Sequence, residues 1–240
     1  MEVYRMYKKI TALLLLLVCL LTLFTACGNK TEQPTAQDTN TEQPSEAEST
    51  TQPIDRSTLR IAMIGDSLVA GLQGYEVTER IDFFGSVNLT TQGIFTKSSS
   101  DSEVAIIDRI AGDSYDVIIV LLGINEIAYD TATWISQYKD VIEGIKLRAP
   151  NAEVWIHAIL PVSQSAEDSS QFGVTNAGIN EKNTALQGLC AETGCTYLDA
   201  GEIFKNEAGI LSDGVASDGI HPTKPYCETW ANFIITKVTN

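Results

Sequence analysis

Short, almost unbroken apolar runs recur through the chain at Leu59–Ile64, Val87–Thr91, Val117–Leu122, Val154–Ile159 and Thr196–Leu198. Runs of this length and character predict strands buried on both faces. Between and after them, apolar residues fall at helical spacing over Ser102–Ala111, Thr133–Arg148, Asn176–Glu192 and Lys224–Lys237. Alternation of strand and helix predicts a parallel five-stranded sheet covered on both faces, a three-layer α/β/α sandwich. Two stretches escape the pattern, the polar Pro161–Thr175 and the glycine-rich Ala200–Ser217. Each leaves the carboxyl end of a predicted strand, so together they are expected to wall a cleft.

The first 56 residues follow a different pattern. Lys8 and Lys9 precede an apolar run from Ile10 to Ala26, and small residues stand just before Cys27. A basic start, an apolar core of this length and small residues before the break predict an export signal rather than a spanning helix. With the cysteine directly after the small residue, residues 1–26 resemble a bacterial lipoprotein signal peptide, although Phe24 stands where that pattern usually has leucine. The resemblance implies that Cys27 is the lipidated first residue of the mature protein. Residues 27–56 are rich in Thr, Glu, Gln, Ser and Pro, with almost no large apolar side chains, and read as a disordered tether. Residues 57–240, about 185 in all, suit one domain with a substantial core.

Composition narrows the partners. The formal charge is −15, and removing residues 1–26 takes away Arg5, Lys8, Lys9 and Glu2, which makes it −17. So acidic a body repels nucleic acid and anionic head groups, leaving neutral partners and a membrane association through the lipid anchor only. With two histidines in the chain a zinc site is hard to build, and no metal is expected. Cys190 and Cys195 stand at a spacing that suits either a small disulfide loop or two free thiols.

The chemistry gathers at predicted strand ends. Gly65-Asp66-Ser67-Leu68 follows the first apolar run and sets a hydroxyl beside free backbone N–H groups at the sheet's carboxyl edge. A serine there needs a base, an orienting acid and oxyanion donors. His157 lies inside an apolar run and reads as a strand residue, whereas His221 lies in the turn-rich Ser217-Asp218-Gly219-Ile220-His221-Pro222. Asp218, three residues before the imidazole and separated from it by a glycine, can fold back to orient it; Asp213 is a more distant rival. Asn125 follows the third predicted strand in Gly123-Ile124-Asn125-Glu126 and offers an amide donor, and Gly93 offers a backbone N–H after the second. Gly112-Asp113-Ser114 repeats the first triplet but precedes a strand, and reads as a turn.

Gly65-Asp66-Ser67-Leu68, Gly93, Gly123-Ile124-Asn125 and Asp218-Gly219-Ile220-His221-Pro222 resemble, in order, the four blocks of the SGNH or GDSL hydrolase family. The resemblance runs from Leu59 to the C-terminus. It implies a flavodoxin-like sandwich and cofactor-free ester hydrolysis, with Ser67 as nucleophile, His221 as base and Asp218 as its partner. It further implies an oxyanion hole made by Ser67, Gly93 and Asn125. Two positions depart from the family pattern: Glu126 stands where aspartate is usual, and Thr96 where the second block often has a further glycine, which makes the Thr96 N–H an alternative donor to that of Gly93. The expected protein is a monomeric, cell-surface esterase acting on a carbohydrate or other small-molecule ester. A lysophospholipase or thioesterase, and a noncatalytic glycan-binding lipoprotein, are the alternatives.

Overall fold

The computed structural model describes residues 55–169 and 173–240. The export signal, Cys27 and nearly all of the tether lie outside the described residues. The described residues form one compact unit. In chain order it contains β1 (Ile61–Gly65), α1 (Ser67–Tyr75), β2 (Ile81–Gly85), β3 (Val117–Leu121), α2 (Thr131–Arg148), β4 (Glu153–His157), α3 (Gln164–Ser169), α4 (Asn176–Thr193), β5 (Thr196–Leu198) and α5 (Lys224–Thr239).

The five strands are all parallel, in the order β2-β1-β3-β4-β5. This is the flavodoxin-like order, whose direction reverses between β1 and β3, and that switch point is where open α/β sheets leave a crevice. The central strands β1 and β3 are buried throughout. Their side chains alternate between two cores. Ala62, Ile64, Ile118 and Val120 pack with Trp134 and Tyr138 of α2 and Ile179 and Leu186 of α4. Ile61, Met63, Val117 and Ile119 pack with Leu68 and Leu72 of α1 and Trp230 and Ile234 of α5. The sheet is thus the middle layer of a sandwich, and the period-2 alternation of each strand feeds both faces.

Two expected elements are placed differently. The second strand is Ile81–Gly85, not Val87–Thr91. Val87 is 64% exposed and Asn88 takes a left-handed φ of 57°, so the chain turns there instead of running on in the sheet. β2 is an edge strand, which lets the polar Asp82 stand among its apolar residues and accept a hydrogen bond from Tyr115 Oη at 2.8 Å. Ser102–Ala111 is not a helix beyond a single 3₁₀ turn at Ile106–Asp108. A bridge from Ser98 to Ala105 and the Ile106 N–H bond to Lys97 O hold this segment in a tight loop, while Ile106, Ile107 and Ile110 still reach the core.

Helix α1 does not stand out in the sequence. Gly71 and Gly74 lower its intrinsic helix preference. It forms because Asp66 caps it and because Leu68, Val69 and Leu72 bury one face. Cys190, Cys195 and Cys227 are free thiols. Among the described residues no helix is long and apolar enough to cross a membrane.

Candidate active site

Ser67 is the first residue of α1, immediately beyond the end of β1. Asp66 Oδ1 accepts the Leu68 N–H at 3.0 Å and so caps the helix. The Ser67 N–H, at the positive end of the helix, has no hydrogen-bond partner among the described residues. Ser67 Oγ lies 2.9 Å from His221 Nε2, and His221 Nδ1 lies 2.7 Å from Asp218 Oδ2. Asp213 makes no hydrogen bond to His221. The loop Asp218–Pro222 closes on itself: Asp218 Oδ1 accepts the backbone N–H groups of Ile220 at 2.9 Å and His221 at 2.8 Å. Although partial burial works against it, these bonds and the imidazole hold the Asp218 carboxyl below its ordinary range.

The loop is pinned from outside as well. Gly219 has φ +77°, and a Cβ there would meet Ser163 Oγ at 2.1 Å. Its carbonyl accepts the Ser163 N–H at 2.9 Å from the segment that leaves β4. Cys227 Sγ donates to Pro222 O at 3.2 Å, tying the imidazole's neighbour to α5.

Asn125 follows β3 in a 3₁₀ turn, Ile124–Glu126. Gly123, which opens the turn, has φ +129°, where a side chain would strike Ile159 and Trp134. One Asn125 Nδ2 hydrogen is spent on Leu89 O at 2.9 Å, leaving the other available. Gly93 is placed otherwise than expected. It begins a 3₁₀ turn within a loop, and its N–H donates to Thr90 Oγ1 at 3.0 Å. The Thr96 N–H is also engaged, by Gly93 O at 3.0 Å. Neither backbone group is free as it stands.

The network behind this loop is not foreseen by motif reading. Glu126 is 1% exposed, and its carboxylate accepts the Thr91 N–H at 3.1 and 3.2 Å and the Thr91 hydroxyl at 2.7 Å. Burial pushes its pKa upward against these bonds. Trp134 Nε1 faces the same carboxylate without a hydrogen bond of good geometry. Lys182 Nζ lies 4.5 Å from the Trp134 ring centroid and donates to Tyr129 O at 3.1 Å. Asp66 is fully buried, and its Oδ2 has no partner. Burial, with a smaller contribution from the charge of Glu126, raises its pKa to about 7. The one signal in the sequence was Glu126 itself, an acid beside Asn125 at the end of an apolar run.

His157 is the buried strand residue its context predicts. It accepts from Trp230 Nε1 at 2.9 Å through Nε2, lies 2.6 Å from Ala158 O through Nδ1, and has its pKa lowered to about 4 by burial. Among the described residues no group of His, Cys, Asp and Glu is placed to hold a metal ion.

The model of the GDSL-like lipase/acylhydrolase family matches residues 63–225. The chain belongs to this family. It is a carboxylic ester hydrolase, and the SGNH sandwich expected from its sequence is the fold observed. Similar solved structures include a protein from Streptococcus pneumonia provisionally named a platelet activating factor, 20% identical, covering 79% of this chain and 86% of that one at a TM-score of 0.62. A peptidoglycan O-acetylesterase is 16% identical and covers 65% of this chain and 45% of its own at 0.51. A catalytic mutant of an acetylxylan esterase from Geobacillus stearothermophilus is 12% identical and covers 75% and 94% at 0.53. At these identities the likeness is one of fold. No curated protein matches the chain.

Proposed function

We propose that this GDSL hydrolase removes a short acyl group, most simply acetyl, from a carbohydrate or other small ester at the cell surface. The observation that carries the reading is the unbroken line Ser67 Oγ, His221 Nε2, His221 Nδ1, Asp218 Oδ2, with links of 2.9 and 2.7 Å. His221 takes the Ser67 proton as Oγ attacks the ester carbonyl, and Asp218 steadies the imidazolium. The Ser67 N–H and the free Asn125 amide hydrogen receive the oxyanion, since the Gly93 N–H is committed to Thr90. As the tetrahedral intermediate collapses, the bond to the alcohol breaks and His221 returns the proton to the departing oxygen. Water, deprotonated by His221, then cleaves the acyl-enzyme and regenerates Ser67.

The preference for a small acyl group is supported by the acetyl esters named for two proteins of similar fold. The surface location is supported by the resemblance of residues 1–26 to a lipoprotein signal and by the polar tether behind Cys27. The acidic body suits a neutral substrate.

The test compares full-length protein with Ser67→Ala on p-nitrophenyl acetate, butyrate and octanoate. Ser67-dependent turnover that is fastest on acetate supports the reading. Faster octanoate cleavage replaces it with a lipid acyl hydrolase, and the absence of Ser67-dependent turnover with a glycan-binding protein. Loss of membrane association and of lipid labelling in Cys27→Ser tests the anchor.

A further inference from the structure

A cleft of about 290 Å³ opens directly from the Ser67–His221 pair. Its floor is one face of α1. Ser67, Gly71, Gly74 and Tyr75 follow one another at helical spacing along that face, and His221 and Pro222 form the facing wall. From residue 67 to residue 74 the cleft follows the helix for about 10 Å. An ideal Cβ on Gly71 or Gly74 meets nothing within 4 Å, so neither glycine is needed for packing or for its backbone conformation. Both cost helix stability, and what they provide instead is a flat floor ending at the 40% exposed Tyr75 ring.

The cleft lies on one definite side of the nucleophile. The helices that carry Ser67 and follow His221 pack on one face of the sheet, whereas Leu89, Ile94 and Ile124, which flank the oxyanion loop, pack on the other. Asn125 is not among the residues that line the cleft. In ester hydrolysis the carbonyl oxygen points to the oxyanion donors, and the departing oxygen must come within reach of the imidazole that protonates it. A group continuing from that oxygen past His221 enters the cleft.

We propose that this cleft is the subsite for the leaving alcohol, with Gly71 and Gly74 as specificity-determining residues. Its occupant is a ring-shaped alcohol, such as a sugar, that lays its apolar face on the glycine floor and against Tyr75 while its hydroxyls remain in solvent. The acyl group lies outside the cleft. This assignment rests on the proposed serine esterase reading and names the part of the substrate each side of the site receives.

The test uses the full-length protein, Gly71→Leu, Gly71→Ala and Ser67→Ala, with two ester series. The first keeps acetyl and enlarges the alcohol from ethyl to phenyl to an acetylated methyl xyloside. The second keeps p-nitrophenol and lengthens the acyl group from acetate to butyrate to hexanoate. Gly71→Leu is expected to lower kcat/KM about ten-fold or more on the phenyl and xyloside acetates, and to leave ethyl acetate within about two-fold. The acetate-to-butyrate ratio in the second series stays unchanged. Gly71→Ala is expected to raise Tm while weakening the same large-alcohol esters to a smaller degree, which separates subsite filling from misfolding. Loss that grows with acyl length, or equal loss on every ester, overturns the subsite alone. Turnover of all esters unaffected by Gly71→Leu does the same. Absence of Ser67-dependent turnover in the unsubstituted protein overturns the esterase reading and the subsite with it.

Discussion

Glu126 closes on Thr91, taking its backbone N–H at 3.1 Å and its hydroxyl at 2.7 Å, while the adjacent Asn125 holds Leu89 O at 2.9 Å. Two consecutive residues after β3 thus grip two positions of the loop after β2. In the proposed mechanism this grip aims the second Asn125 hydrogen. Asn125→Ala should lower kcat by about 10²–10³-fold, the usual cost of one oxyanion donor. Glu126→Gln should reduce kcat by about ten-fold with KM little changed, because a positioning defect is felt mainly in the transition state. Steady-state kinetics on p-nitrophenyl acetate check both. A KM effect without a kcat effect would assign Glu126 to substrate binding instead.

Asp218 is half-exposed yet satisfied by two backbone N–H groups and the imidazole. Asp218→Asn removes the charge that steadies an imidazolium and should lower kcat by roughly 10³–10⁴-fold. Asp213→Asn, with no bond to His221, should leave kcat within about two-fold. Equal losses in the two variants would contradict the assignment.

Asp66 and His157 are both fully buried and act on stability with opposite signs. The Asp66 pKa is raised to about 7, so its contribution is fully present below the unfolded value near 4 and is lost as pH rises toward 7. The His157 pKa is lowered to about 4, so its contribution is present above the unfolded value of about 6.5 and is lost as pH falls toward 4. Each is worth on the order of 3–4 kcal/mol across its window. Asp66→Asn keeps the cap acceptor for Leu68 and should flatten the decline in stability between about pH 4 and pH 7, measured by urea unfolding. An unchanged profile would mean that Asp66 is not the group whose protonation the fold favours.

Gly123 sets the turn that presents Asn125. Gly123→Ala forces a side chain into φ +129° and against Ile159 and Trp134. A loss of about 1–3 kcal/mol is expected, read by thermal or chemical unfolding. By contrast, Gly112→Ala, also at positive φ but with open space around its Cβ, should cost less.

The sequence and the structure agree where a pattern is long or a motif is closed within a few residues. α2, α4 and α5 carry sustained helical periodicity, and at the middle of a parallel sheet β1 and β3 are unbroken apolar runs and β4 an apolar run between Glu153 and His157. β2 was displaced because an edge strand tolerates a charged residue within its run, while Val87–Thr91, free of charge, turns at Asn88. The segment around Ile106 has a helix-like pattern that a bridge to Ser98 overrides. The free Gly93 N–H failed for a local reason, the nearby Thr90 hydroxyl, which periodicity cannot reveal.

By itself the sequence determined the α/β alternation, the strand-end position of Ser67 and Asn125, and the Asp218–His221 pair, because each depends on residues within one turn or one apolar run. Only the tertiary structure decided that a hydroxyl and an imidazole 154 residues apart meet at 2.9 Å, and that Glu126 reaches Thr91, 35 residues away. Only it decided which face of a weak helix becomes the floor of a cleft. Those relations are set by strand order and by which core each helix joins, and neither quantity is written in any local stretch of the chain.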